Sequence, residues 1–240
     1  MKNFKNILII SSHADDHISC AGTVFKLQEE RGLIPFEIVL TDSSLGQDFR
    51  SKKQKNKQQV SAVRLKELSQ ASQFLGVKQT FLLRQPDFGL EYSSAILFKV
   101  AKIIRSVKPK IVFINGEFDA HPDHRVAFRV ASDSIKLAAM GVDVKNLGEP
   151  FRVPMILCVE QMLPDRIQIL IDVTKYKDKK DALLEIYASQ MSPKSMAFEK
   201  GLGQVRGYHL KKPNGFVAEG FTLQNEFPVL GLEQDESDLF

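Results

Sequence analysis

Four short apolar runs punctuate the first half of the chain, and segments of helical spacing separate them. Ile7-Leu8-Ile9-Ile10 and Ile111-Val112-Phe113-Ile114 are continuous, with no polar residue to turn toward water. A strand of that kind has to be covered on both faces, as in a parallel sheet between helical layers. Residues 35–40 and 77–83 read as two more strands, and helices are expected over 22–31, 58–74, 93–107 and 125–140. Leu75-Gly76 and Lys108-Pro109 supply stop signals for two of these helices. Strands alternating with helices predict βαβ units and a doubly wound α/β sheet. Beyond Gly148-Glu149-Pro150 the pattern changes. Strands are expected at 155–160 and 167–172 and a helix over 175–189, followed by a loop-rich remainder carrying Gly201, Gly203, Gly207, Gly215 and Gly220. The chain therefore reads as a single domain over 1–240: a core over 1–150 and a small C-terminal α+β extension over 151–240, covering the sheet's carboxyl edge. The acidic tail at 233–238 is expected to be mobile.

The composition excludes several function classes. Hydrophobic residues make up 43% and charged residues 26% of the 240, with a net charge of only +4, as in an ordinary soluble domain. Much of the basic excess lies in Lys52-Lys53-Gln54-Lys55-Asn56-Lys57, which reads as a solvated loop or helix start. No basic face interleaved with aromatic residues is visible, so nucleic acid is not an expected partner. Cys20 and Cys158 are the only cysteines and form no Cys-x-x-Cys pair, which argues against a disulfide framework or a thiolate zinc site. There is no run long enough to span a membrane and no signal-like apolar stretch, so a cytoplasmic location is expected. A homo-oligomer is left open.

Four of the five histidines gather in two clusters, His13-Ala14-Asp15-Asp16-His17 and His121-Pro122-Asp123-His124. Each cluster follows a predicted strand, and open α/β sheets bind ligands beyond the carboxyl ends of their strands. On a turn leaving a strand, His13 and Asp16 can reach one cation. A catalytic zinc keeps three protein ligands and an open position, and His124 is the natural third. Two imidazoles and a carboxylate suit Zn²⁺ or Fe²⁺. Asp15, beside this set, is placed to hold a water and take its proton as general base. His121 is placed to donate to an oxyanion or a leaving group, and Asp123 to orient one of the imidazoles. Histidine and aspartate are also common turn residues, and Asp123 is a candidate cap for the next helix after Pro122. The metal reading rests on two clusters standing at equivalent strand ends.

These motifs resemble those of the LmbE/PIG-L family of metal-dependent N-deacetylases. Its Ala-His-Pro-Asp-Asp-Glu-like motif stands here as Ser12-His13-Ala14-Asp15-Asp16-His17, and its His-x-Asp-His motif as His121-Pro122-Asp123-His124. Weaker likeness runs through Gly22-Thr23, the helix from Arg64 and Glu67 to Leu75-Gly76-Val77, Ile171-Asp172-Val173-Thr174, Ser189-Gln190 and Ala218-Glu219-Gly220-Phe221. The resemblance implies a Rossmann-like, mostly parallel sheet flanked by helices. It implies zinc ligands at His13, Asp16 and His124, a general base at Asp15 and an auxiliary histidine at His121. The implied reaction removes the N-acetyl group from an N-acetylated amino sugar or glycoconjugate, with Arg64 and Asp87 at positions that contact the sugar. For Arg64 the competing expectation is an exposed helix residue paired with Glu67 or Glu29, and for Asp87 a turn role. Two departures stand out: His17 replaces a glutamate, as a helix-start residue or a contact at the site's mouth, and 48–59 forms a longer loop expected to line the opening. A metal phosphoesterase and a catalytically inactive sugar-binding relative are the rival functions.

Overall fold

The computed structural model describes residues 4–161 and 166–224. Strands β1 (Asn6–Ser11), β2 (Ile34–Thr41), β3 (Thr80–Gln85), β4 (Pro109–Ile114), β5 (Met155–Val159), β6 (Ile169–Asp172) and β7 (Ala218–Leu223) form one sheet in the order β3-β2-β1-β4-β5-β7-β6. The first five run parallel, and β7 runs antiparallel to β5 and β6 on either side of it. The helices are α1 (Ala21–Arg31), α2 (Lys57–Phe74), α3 (Ser94–Val107), α4 (Pro122–Ala139), α5 (Val144–Leu147), α6 (Lys177–Ile186) and α7 (Pro193–His209). None of the described helices is long and apolar enough to cross a membrane.

Alternation along the central strands explains their composition. Leu8 and Ile10 pack with Ile38, Val112 and Ile114 against α3 and α4. Ile7 and Ile9 point the other way, with Ile111 and Phe113, into the layer of α1 and α6. Each such side chain, removed from water, contributes about 1.5–3 kcal/mol. The chain first winds from β1 outward through β2 to β3, then crosses to β4 on β1's other side. The loops leaving β1 and β4 consequently diverge around a crevice, the place where such sheets bind ligands.

Two expectations change. β3 begins at Thr80, not at residue 77, because the Val77 amide donates to the Ser72 carbonyl and so still closes α2. The remainder after 189 holds the seventeen-residue α7, although glycine costs roughly 1 kcal/mol relative to alanine inside a helix. Tertiary contact reverses that preference: a Cβ on Gly207 would lie 2.2 Å from the Phe216 carbonyl oxygen. The glycine lets the chain entering β7 pass directly over the helix. On the opposite layer, buried Arg105 of α3 donates to the carbonyls of Leu137, Ala138, Met140, Val142 and Gly148, closing the end of α4. The acidic stretch 233–238 lies outside the described residues.

Candidate active site

The turn after β1 is built around Asp16. Its Oδ2 accepts from Ser12 Oγ at 2.6 Å, the His13 amide at 3.0 Å and Asn115 Nδ2 at 3.1 Å. Those three donors fix the carboxylate and leave Oδ1 facing two imidazoles. His124 Nε2 lies 3.3 Å from Asp16 Oδ1, and His13 Nδ1 lies 3.3 Å from His124 Nε2 and 3.9 Å from Asp16 Oδ1. Metal–ligand bonds of about 2.0–2.2 Å at tetrahedral angles set ligand atoms about 3.3–3.6 Å apart. Two edges of this triangle match and the third is slightly open, so the donor set fits a small divalent cation.

The other ring nitrogens support the same reading. His13 Nε2 faces Asp87 Oδ1 at 3.2 Å and Asp123 Oδ2 at 3.3 Å, and His124 Nδ1 faces Asp119 Oδ1 at 3.0 Å. Metal-binding histidines commonly give their second nitrogen to a carboxylate in this way, which fixes ring and tautomer. In the metal-free protein burial opposes charge on His13, but Asp123, Asp16 and Asp87 outweigh it and raise its pKa well above the ordinary value. Burial likewise opposes charge on His124, and Asp16 and Asp119 lift it to about 9. Asp16 is held well below the usual carboxylate range: His124 and His13 overcome the burial that would raise it.

Asp15 and His121 stand beside the triangle. Arg64 Nη2 donates to Asp15 Oδ1 at 2.5 Å, and Arg64 is only 5% exposed, so the expected alternative of an exposed helix residue paired with Glu67 or Glu29 does not hold. His121 Nδ1 accepts the Asp123 amide at 3.2 Å and thereby caps α4. The cap expected from Asp123 is thus made by His121. With Nδ1 an acceptor, a neutral His121 carries its proton on Nε2. Burial, together with the positive charge of His13 and His124, pushes the His121 pKa down and favours that neutral form. Asp15, Asp16, His13, His121 and His124 open into a cavity of about 280 Å³ that Gln161, Gln190 and Glu199 also line. That is near the small end of ligand sites, roughly 300–1,000 Å³.

Other predicted residues fall into definite places. Asp123 accepts the Phe88 amide at 2.8 Å and faces His13, as an orienting carboxylate does. Asp87 borders the cavity, but its Oδ1 faces His13 and its Oδ2 accepts the Leu45 amide at 2.8 Å, so both oxygens are engaged within the protein. His17 is neither at the mouth nor a simple helix-start residue. It is fully buried, with Nδ1 2.7 Å from Glu37 Oε1 and Nε2 3.0 Å from the Tyr187 hydroxyl, which donates to the Ala14 carbonyl. The loop expected over 48–59 ends at Asn56, just before α2 begins, and lines a second cavity of about 770 Å³ that shares Leu45 and Gly46 with the first. Sequence reasoning passed over Asp119 and Asn115. Asp119 had a signal, standing two residues before His121; Asn115, directly after β4, had only its position at the strand end.

The nitrogens of His13, His121 and His124 lie within 4.8 Å of one another, as do ligand atoms of His13, Asp87 and Asp123. Both groups contain His13, so among the described residues they do not make two independent metal positions.

Comparison with known proteins adds independent findings. The family described as PIG-L: GlcNAc-PI de-N-acetylase matches residues 8–135, which include both clusters. A diacetylchitobiose deacetylase of Thermococcus kodakarensis is 29% identical over 140 residues, 57% of this chain and 51% of that protein. A probable N-acetyl-alpha-D-glucosaminyl L-malate deacetylase 2 of Bacillus cereus is 27% identical over 123 residues, 50% of this chain and 56% of that protein. The chain spans about half the length of these two relatives. The crystal structure of a conserved protein of Thermus thermophilus superposes with a TM-score of 0.79 at 29% identity, covering 95% of this chain and 98% of that one.

Proposed function

Because the chain belongs to the PIG-L: GlcNAc-PI de-N-acetylase family, we propose that it hydrolyses the N-acetyl group of an N-acetylated amino sugar, free or within a glycoconjugate. The observation that carries this reading is the triangle of His13 Nδ1, Asp16 Oδ1 and His124 Nε2, with Asp15 and His121 on the same cavity. His13, Asp16 and His124 would hold the cation, zinc or alternatively iron(II), which when bound supplies a Lewis acid that acidifies water and polarises a carbonyl.

The chain's own residues do the rest. Asp15 takes a proton from the attacking water at a carboxylate oxygen, while Arg64 holds that carboxylate in place. His121, neutral and protonated on Nε2, donates to the oxygen that becomes negative in the tetrahedral intermediate. The proton gained by Asp15 then passes to the amide nitrogen as the C–N bond breaks, giving the free amine and acetate. Names of relatives that are deacetylases of N-acetylated sugars support the substrate class.

Acetate release from a panel of N-acetylated sugars by the zinc-loaded protein, with EDTA as control, tests the activity. Asp15→Asn should keep its zinc yet lose at least about 100-fold in rate. Undiminished turnover in that variant would remove Asp15 from the role. Zinc binding with tight sugar binding and no acetate release would mark an inactive sugar-binding relative instead.

A further inference from the structure

Phe88 is the residue at the site that its backbone least explains. Its φ is +55°, in the left-handed region that a Cβ makes costly for any residue but glycine. A phenylalanine placed there should gain something by burial, yet Phe88 is 60% exposed. Its amide donates to Asp123 at 2.8 Å, which accounts for the backbone conformation but would be satisfied equally by glycine. Gly89 stands next to it and has no need of the left-handed region. The side chain is therefore what the position requires, and strained residues of this kind gather at functional sites.

The ring lines the active-site cavity, packed edge-on to His121 with centroids 4.5 Å apart. Leu45, 41% exposed, lines the same cavity. Several polar lining residues have capacity to spare. Gln161 accepts from Asn115 through Oε1, leaving its amide hydrogens, and Gln190 donates to the Gln47 carbonyl, leaving Oε1. Glu199 adds a carboxylate with no cation within ion-pair distance among the described residues. An apolar platform together with polar donors and acceptors suits a ligand with a C–H face and a rim of hydroxyls. A pyranose ring is such a ligand.

We infer that Phe88, with Leu45, is the specificity platform on which the C–H face of the substrate's pyranose ring stacks. This rests on the amino-sugar reading above and deepens it: selectivity for a closed ring over an open chain comes from Phe88.

The chain contains no tryptophan, so Phe88→Trp carries a single indole at the platform. Its emission should shift saturably with glucosamine and respond at least about tenfold more weakly to the ring-opened amino alditol. Phe88→Ala should raise KM for N-acetylglucosamine about tenfold and leave kcat within about threefold. Phe88→Gly should show the same KM with a melting temperature at or above that of Phe88→Ala, since the strain is relieved. An unchanged KM in Phe88→Ala, or an indole insensitive to glucosamine, overturns the platform and leaves deacetylation standing. A wild-type protein that releases no acetate, beside a Phe88→Trp indole that reports glucosamine, overturns deacetylation and leaves the platform standing.

Discussion

Protons and a cation compete for the same atoms in this site, and the competition can be measured. In the metal-free protein His124 titrates at about 9 because Asp16 and Asp119 outweigh the burial that opposes its charge. In the unfolded chain a histidine titrates near 6.5. At about 1.4 kcal/mol per pH unit, that gap is worth on the order of 3 kcal/mol of folding stability. Since the folded value is the raised one, the stabilisation is fully present below pH 6.5 and is lost as pH rises through about 9. His13, raised well above its ordinary value, acts in the same direction. Zinc needs His124 Nε2 and His13 Nδ1 free of protons, so its apparent affinity should climb over the window in which metal-free stability falls. One displaced proton gives about tenfold per pH unit, hence about 100-fold between pH 7 and 9, and two displaced protons give more. Calorimetric melting of the metal-free protein from pH 6 to 9.5, with His124→Gln to subtract other titrating groups, gives the first half. Zinc titration against a chromophoric chelator gives the second. If wild type and His124→Gln melt with the same pH dependence, or if zinc binds equally at pH 7 and 9, the network drawn around Asp16 is wrong.

Three further perturbations separate the parts. Asp119→Ala removes the carboxylate facing His124 Nδ1 and should weaken zinc binding about 10–100-fold at pH 9, read by chelator competition. Arg105→Met strands the carbonyls that end α4 and should lower unfolding free energy by about 3–5 kcal/mol in urea, with kcat of the folded fraction unchanged. His17→Glu puts a second carboxylate against Glu37, and Glu37→His a second imidazole against His17; each should cost about 3–5 kcal/mol, and the double exchange should recover most of it. Additive losses in that cycle would show that the two residues act independently.

Much of the site was legible because its chemistry is local. His13 and Asp16 share one turn and His121 and His124 another, and the apolar runs before them announce strands that bring the turns together. What stayed illegible depends on contacts between distant segments. Asn115 reads as any loop residue until it is seen donating to Asp16, 99 positions away. Glycines in 201–207 predict a loop until α7 is seen under the chain entering β7. The weaker family likenesses gain meaning in the same way. Glu219 accepts the amides of Gly22 and Thr23 at 2.9 and 2.8 Å, and so caps α1 from a strand almost 200 residues later. Glu67 accepts the amide and hydroxyl of Ser189, tying α2 to the segment that brings Gln190 to the cavity. Fragments that look scattered along the chain are the two halves of contacts holding the active-site turns.

The same logic accounts for the substitution of histidine for glutamate at position 17. Glu37 is an anomaly of its own, a carboxylate inside the otherwise apolar strand Pro35-Phe36-Glu37-Ile38, fully buried in the structure. A buried carboxylate without a partner costs several kcal/mol, and His17 is that partner. Burial opposes charge on the imidazole, but Glu37 outweighs it and raises the His17 pKa above the ordinary value. The two residues account for each other: the imidazole on the turn faces the carboxylate on β2 at 2.7 Å. Tyr187 carries the arrangement forward, with its hydroxyl 3.0 Å from His17 Nε2 and donating to the carbonyl of Ala14, between His13 and Asp15. What the turn needs behind it is therefore a hydrogen-bonded pair with its polar atoms satisfied, and not a carboxylate at one fixed position. That requirement leaves His13, Asp16 and His124 in place while the residue next to them differs.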